Sequence, residues 1–289
     1  MTHRSAKTQG RGRPALANAR DLAEKRLPRP ARLVQITDSH LFADPHGKLL
    51  GLTTRSSFEA VLALALGGPT RADALVMTGD LVHDESPEGY AYLKQALQAQ
   101  DLPYYCIPGN HDRSDLLAHW LGGGTVERVR RHRLGRWSLI LLDSTRPGTE
   151  GGLLASAQLE AVDRLLGENT NPALVFLHQH PVPVHSAWMD TIAVENGHEL
   201  VRVCDQHPNV RALVFGHIHQ EFDAPRGRYR ILGAPSTCVQ FLPRSLDFAI
   251  DPTPPGYREL LLHPDGRLDT WVRRLAAYPE RLDIASNGY

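Results

Sequence analysis

The chain has 289 residues, enough to bury a full core as one large domain or two small ones. Its 42% apolar and 22% charged residues are ordinary for a water-soluble fold, and a formal net charge of zero gives the molecule as a whole no attraction for nucleic acid or a membrane surface. Three cysteines, Cys106, Cys204 and Cys238, are an odd number without metal-type spacing and read as reduced thiols of a cytoplasmic protein. No apolar run approaches the roughly 18 residues that cross a bilayer, and no signal-peptide core precedes Leu33.

The charge is uneven along the chain. Residues 1–32 hold nine Lys/Arg against Asp21 and Glu24, a net of +7, so the remainder carries −7. Residues 1–31 are rich in Gly, Pro, Ala and Arg and lack apolar periodicity, which predicts a disordered basic leader. An anion-binding arm and a mitochondrial-type presequence stay open for this segment. Residues 32–289 then read as a single α/β unit.

"RLVQIT" (32–37) predicts a strand that ends at "DSH", followed by a helix over 56–66 with Ser as its N-cap. "ALVMTGD" (74–80) is a second strand and 86–100 a helix with Pro near its start. "LPYYCI" leads into "PGNHD", and 137–144, 173–180 and 211–219 repeat the pattern of apolar strand and polar mouth. Helices are predicted over 156–166 and 197–206. Beyond residue 228 the texture is that of antiparallel strands, with "HPDG" as a hairpin turn. Without a repeat or a Gly/Ser linker, the reading is one α/β domain with a partly antiparallel second sheet.

Five strand mouths carry groups able to ligate metal: Asp38 and His40, Asp80, Asn110 and His111, His178 and His180, His217 and His219. Singly these signals are weak. A lone D-x-H turn is more often a cap, and G-D after a strand is usually a tight turn. "GHIH" is stronger, because core packing does not call for two imidazoles flanking one residue. Ligands of open α/β sheets gather at the carboxyl ends of strands, so the five mouths are expected to converge on one binuclear site.

The order D-x-H, G-D, G-N-H-D, H and G-H-x-H resembles the calcineurin-like metallophosphoesterases, here as "DSH" (38–40), "GD" (79–80), "GNHD" (109–112), His178 and "GHIH" (216–219). The bacterial class III 3',5'-cyclic-AMP phosphodiesterases are more similar still, through "VQITDSHLFAD", "PSTCVQF" (235–241), "PGYRELLLHPDGRL" and "ASNGY". One departure is "HQHP", where relatives carry H-H-H-P. The family's ligand falls on His178, and His180 is expected behind it or in the pocket wall. Gln179 is expected to alter local hydrogen bonding without changing the metal count.

The resemblance implies a four-layer α/β/β/α sandwich with mixed sheets and two divalent metal ions at the strand ends. One ion would be held by Asp38, His40 and His219, the other by Asn110, His178 and His217, with Asp80 shared. Nitrogen and oxygen donors without thiolate suit iron or manganese, with zinc also compatible. Asn110 ligates without adding negative charge: two divalent ions less Asp38, Asp80 and one hydroxide leave +1, matched to a monoanionic diester. The family pattern makes His111 the general acid and Asp112 the residue that orients it, with N-capping of the following helix as the alternative for Asp112. His40, Asp80, Asn110, His111 and His219 would face the substrate.

The implied reaction is hydrolysis of 3',5'-cyclic AMP to 5'-AMP by a hydroxide bound at the metal centre. A broad phosphodiesterase or phosphomonoesterase of the same fold is the alternative. The expected partner is a small cyclic nucleotide, with no nucleic acid or membrane; a homodimer stays open. His83, Asp84 and Asp143 are read as loop residues or supports of the ligands. Trp188 is read as a packed aromatic ahead of a base-stacking one. His46, His119, His132, His198, His207 and His263 are read as surface residues.

Overall fold

The computed structural model describes residues 29–122, 128–278 and 280–283. The leader expected over 1–31 therefore falls almost wholly outside the described residues. Its boundary moves slightly: strand β1 is Ala31–Ile36, and Arg29 forms a two-point pair with Asp73 at 3.0 and 2.7 Å.

Two mixed sheets face each other. The first has the order β15-β14-β1-β4-β5, where β4 is Ala74–Thr78, β5 Tyr104–Ile107, β14 Gly256–Leu262 and β15 Leu268–Arg274. The second has the order β10-β11-β9-β8-β7-β6, with β6 Val129–Leu134, β7 Trp137–Leu142, β8 Ala173–Phe176, β9 Val210–Phe215, β10 Phe222–Arg226 and β11 Tyr229–Gly233. Short pairs β2 (Lys48–Leu49) with β3 (Leu52–Thr53), and β12 (Gln240–Phe241) with β13 (Ile250–Asp251), complete the strands among the described residues.

The central strands are apolar on both faces, the mark of parallel strands covered on both sides. Leu33, Val76 and Ile107 of the first sheet meet Leu139, Leu141, Phe176 and Val214 of the second in a core between the sheets. The opposite face of the first sheet, through Val34, Ile36, Leu75 and Met77, is covered by α1 (Thr54–Leu66), α2 (Pro87–Gln98) and α3 (Ser114–Leu121). Ile140, Leu142, Val175 and Leu213 lie beneath α4 (Ser156–Gly167) and α6 (Gly197–Gln206), with the short α5 (Ala187–Asp190) beside them. Helix, sheet, sheet and helix make the four layers implied by the motif order.

Some local expectations change. Helix α1 begins at Thr54, and its N-cap Thr53 makes no side-chain cap bond. Neither serine before Phe58 caps it: Ser57 lies inside the helix and donates to Thr237 O at 2.6 Å. Ser86 does cap α2, accepting from Gly89 N, with Pro87 in the first turn. Besides the short pair β2 and β3, two strands of the main sheets escaped the sequence pattern, β6 and β10, and both are sheet edges. Arg130, Arg131 and Arg133 charge the first, and Pro225 interrupts the second, devices that suit an unpaired edge. The hairpin at 263–266 forms as expected, with Gly266 N donating to His263 O at 3.0 Å. Its strands join the first sheet beside β1, however, while the antiparallel members of the second sheet are β6 and β10.

Candidate metal centre at the strand mouths

Beyond β1 and β4 the two chains stay zipped. Asp38 N donates to Gly79 O (2.9 Å), His40 N to Asp80 O (2.9 Å), Leu41 N to Leu81 O (3.0 Å) and His83 N to Leu41 O (2.8 Å). This ladder sets Asp38, His40, Asp80 and His83 at fixed heights above the first sheet. Asp38, His40, Asp80, His217 and His219 all have positive φ, from 43° to 68°, which turns their side chains inward where a continuing strand would alternate them. Non-glycine residues take this region uncommonly, and clusters of such residues occur where a site demands it. Glycine is needed between them: a Cβ on Gly79, whose φ is 97°, would run into the His178 ring, and one on Gly109 into the Asp80 carboxylate.

The five mouths converge. Asp38, His40 and His219 form one donor set, and Asp80, His178 and His217 a second, each with ligand atoms within 4.8 Å of one another. The sets touch: His40 Nε2 is 3.2 Å from His219 Nε2 and 3.8 Å from Asp80 Oδ2, while His178 Nε2 is 3.2 Å from both Asp80 Oδ2 and Asn110 Oδ1. Every sequence-assigned ligand is thus in one place, with Asp80 between the two sets. Outer hydrogen bonds aim the rings. His178 Nδ1 meets Thr78 O at 2.7 Å and His219 Nδ1 meets Val239 O at 2.8 Å, leaving Nε2 of each to face inward.

Burial holds the His40 and His217 imidazoles well below their ordinary range, helped by neighbouring histidines, so both are neutral with a lone pair to offer. Burial also opposes ionisation of Asp80, but His178, His111 and His40 outweigh it and keep the carboxylate well below its usual range. In His178 burial is outweighed in turn by Asp80, which lifts the ring to about 9; a metal ligand there would displace that proton.

His111, half-buried, donates its backbone N–H to Asp80 Oδ1 at 2.9 Å, and its ring packs edge-on against His40 with centroids 5.1 Å apart. Asp112 does not cap the following helix. Arg113 is the N-cap of α3, and the Asp112 carboxylate accepts from the N–H groups of Gly109 (2.9 Å), Leu81 and Val82 (3.1 Å each) and from Tyr90 Oη (2.9 Å). Asp112 anchors the β5 mouth to the β4 mouth; burial, then Asp80, pushes it up to about 6.

Gln179 accepts from Ser144 Oγ at 2.6 Å and donates to Glu150 O, tying the loop after β7 to the His178 mouth. His180 lies behind the centre, stacked on His217 at 5.8 Å with its Nε2 3.4 Å from Asp190. Trp188 packs on Phe241 and Phe248, at 5.3 Å each. Asp84 bonds Ser86 in its own loop and accepts from Ala43 N at 2.9 Å in the loop after β1, while Asp143 bonds Thr145 in its own loop. His46, His119 and His198 are exposed, His132, His207 and His263 half-buried, and none belongs to a donor set.

The sequence reading missed what "PSTCVQF" does structurally. Ser236 Oγ donates to Asp38 O at 2.7 Å, Val239 O receives His219, and Phe241 lies flat on His219 at 4.2 Å and 9°. The segment was quoted as family-like, and no spacing rule assigns its contacts.

Metal ions fit this donor set. Both ring nitrogens of His217 are buried without a hydrogen-bond partner beside the Asp80 carboxylate, an arrangement that costs free energy unless something electrophilic sits among them.

The same histidines dictate a pH response. Burial first, then His111, lowers His83 to about 4, and burial lowers His180 to about 4. Unfolded, each titrates near 6.5, so between pH 4 and 6.5 the unfolded chain binds more protons and stability rises with pH. His178 has the opposite sign: its contribution is present below 6.5 and lost as pH rises through about 9. The urea midpoint of the metal-free protein is predicted to peak near neutrality and fall towards both pH 4 and pH 9. A midpoint that is flat from pH 4 to 7 would contradict these assignments.

Comparison with known proteins agrees with the geometry. The 3',5'-cyclic adenosine monophosphate phosphodiesterase CpdA of Haemophilus influenzae is 39% identical over 260 residues, covering 89% of this chain and 95% of the relative. The Pseudomonas aeruginosa protein of the same name is 40% identical over 261 residues, covering 89% and 94%. Among solved structures, a dimetal phosphatase from Danio rerio shares the fold with a TM-score of 0.61 at 15% identity, covering 86% of this chain and 99% of that one. The family model described as calcineurin-like phosphoesterase matches residues 31–221, which run from β1 past the last of the seven candidate ligands, and the chain belongs to that family.

Proposed function

We propose that this protein hydrolyses 3',5'-cyclic AMP to 5'-AMP with two divalent metal ions. The observation that carries the reading is the pair of adjoining donor sets with Asp80 between them, in a chain similar over 89% of its length to phosphodiesterases named for that substrate. Asp38, His40 and His219 would hold one ion, and Asn110, His178 and His217 the other. Iron or manganese, with zinc as a further match, suits these nitrogen and oxygen donors; Cys106, Cys204 and Cys238 stand outside them, their thiols pushed up to about 12 by burial. When bound, such ions lower the pKa of water and neutralise charge on phosphoryl oxygens.

The residues of this chain supply the rest. Asn110 contributes an oxygen without charge, so the centre keeps a net positive charge for a monoanionic diester. His111 is half-exposed at the edge of the centre, its backbone N–H on Asp80, and in this reading its ring donates a proton to the departing 3' oxygen. His40, Asp80, Asn110 and His219 complete the wall facing the phosphate. Asp112 acts at one remove, through the two loops it joins. The catalytic unit is the part from β1 onward, acting on a free small nucleotide. A cytoplasmic location and no requirement for membrane or nucleic acid go with that substrate; no helix of the described residues is long and apolar enough to cross a membrane.

The substrate is tested by kcat/KM of the metal-loaded protein on 3',5'-cyclic AMP, 2',3'-cyclic AMP and bis-p-nitrophenyl phosphate. The 3',5' ester is expected to be the best of the three and to give 5'-AMP. If it is uncut or the poorest, the enzyme is a broad phosphodiesterase or phosphomonoesterase. For His111→Ala the metal content should stay and turnover of the cyclic nucleotide fall by about 10²–10⁴-fold. The loss should be much smaller on a diester with a p-nitrophenolate leaving group, and equal losses would remove the general-acid role.

A further inference from the structure

His83 lies outside the two donor sets with carboxylates that would hold the two ions; it forms a third, all-imidazole group with His40 and His111, and its Nδ1 lies 3.0 Å from Nδ1 of His40. We infer that His83 is a positioning residue that holds the metal ligand His40 in its binding orientation; this rests on the metal assignment proposed above.

A neutral imidazole carries one N–H. If Nε2 of His40 gives its lone pair to a metal, the proton is on Nδ1 and must be donated outward. The atom it meets is Nδ1 of His83, which therefore accepts, placing the proton of His83 on its own Nε2. His178 and His219 make the equivalent outward bond to main-chain carbonyls, of Thr78 and Val239. His40 instead has a side chain as acceptor. An imidazole acceptor adds no negative charge, so the ring is aimed without reducing the charge available to an anionic ester, as a carboxylate at this position would.

His83 is built to hold still. Its N–H closes the ladder on Leu41 O at 2.8 Å, in the turn that also carries His40. Its ring packs on Phe42 with centroids 4.9 Å apart and stacks on His111 at 4.8 Å and 25°. It thus touches both the ligand it aims and the proposed acid, which also touch each other, and each limits its rotation.

The test is titration of metal-free protein with Mn²⁺, followed calorimetrically, with urea midpoints of the metal-free variants alongside. Wild type is expected to take two ions. His83→Ala should weaken one of them by about 10–100-fold and leave the other and the urea midpoint unchanged. His83→Gln, whose side-chain carbonyl can accept the same bond, should recover most of the loss. Unchanged affinities in His83→Ala would overturn the inference alone, as would a glutamine variant as poor as alanine. Loss of a third equivalent would overturn it too, by making His83 a ligand. Fewer than two ions in wild type would overturn the metal-centre reading and this inference with it.

Discussion

The centre is organised around one buried carboxylate. Asp80 has no exposed surface, and an ionised acid in that position is tolerated only if charge and hydrogen bonds surround it. His111 N–H satisfies Oδ1 from the mouth of β5. His178 approaches Oδ2 from the second sheet at 3.2 Å, and His40 from β1 at 3.8 Å. One side chain thus ties both sheets together at the end where the five strand mouths converge, and the two donor sets are adjacent across it.

Bringing seven side chains around that point requires unusual backbone. Five of the seven ligand positions lie in the left-handed region, where each non-glycine residue is strained by about 1–3 kcal/mol. The flanking structure supplies the restraint. The ladder from Asp38 to His83, the four donors on Asp112, and the Ser236 bond to Asp38 O each fix one mouth relative to another. Gly79 and Gly109 let the rings and carboxylate close to a distance that any side chain would prevent. Stability is given up at the strand ends and recovered in the three apolar cores beneath them.

What could be read from the sequence follows from range. Buried parallel strands are short apolar runs, and each mouth begins where the run stops, so Asp38, Asp80, Asn110, His178 and the 217–219 pair stood out locally. Their convergence came from the topology of an open α/β sheet. Strands β6 and β10 did not stand out, because edge strands with arginines or a proline lack the apolar signature. The position of the β14–β15 hairpin beside β1 depends on a pairing across more than two hundred residues, which no local pattern encodes. The bonds of Asp112 were only partly legible: Gly109 is a local donor, but Leu81, Val82 and Tyr90 are brought to it by the fold. Phe241 against His219 is likewise a contact made by the fold, and His83, readable three residues past Asp80 as a loop residue or a support of the ligands, finds its partner only when the ladder sets it beside His40.

The central claim is that two metal ions are held side by side with Asp80 between them. Electron paramagnetic resonance of the metal-free protein reloaded with Mn²⁺ addresses it directly. The account predicts two ions per chain with an exchange-coupled signal, and in Asp80→Asn a loss of coupling together with weaker binding of both. A single uncoupled ion in the wild-type protein, or unchanged coupling in Asp80→Asn, would contradict it.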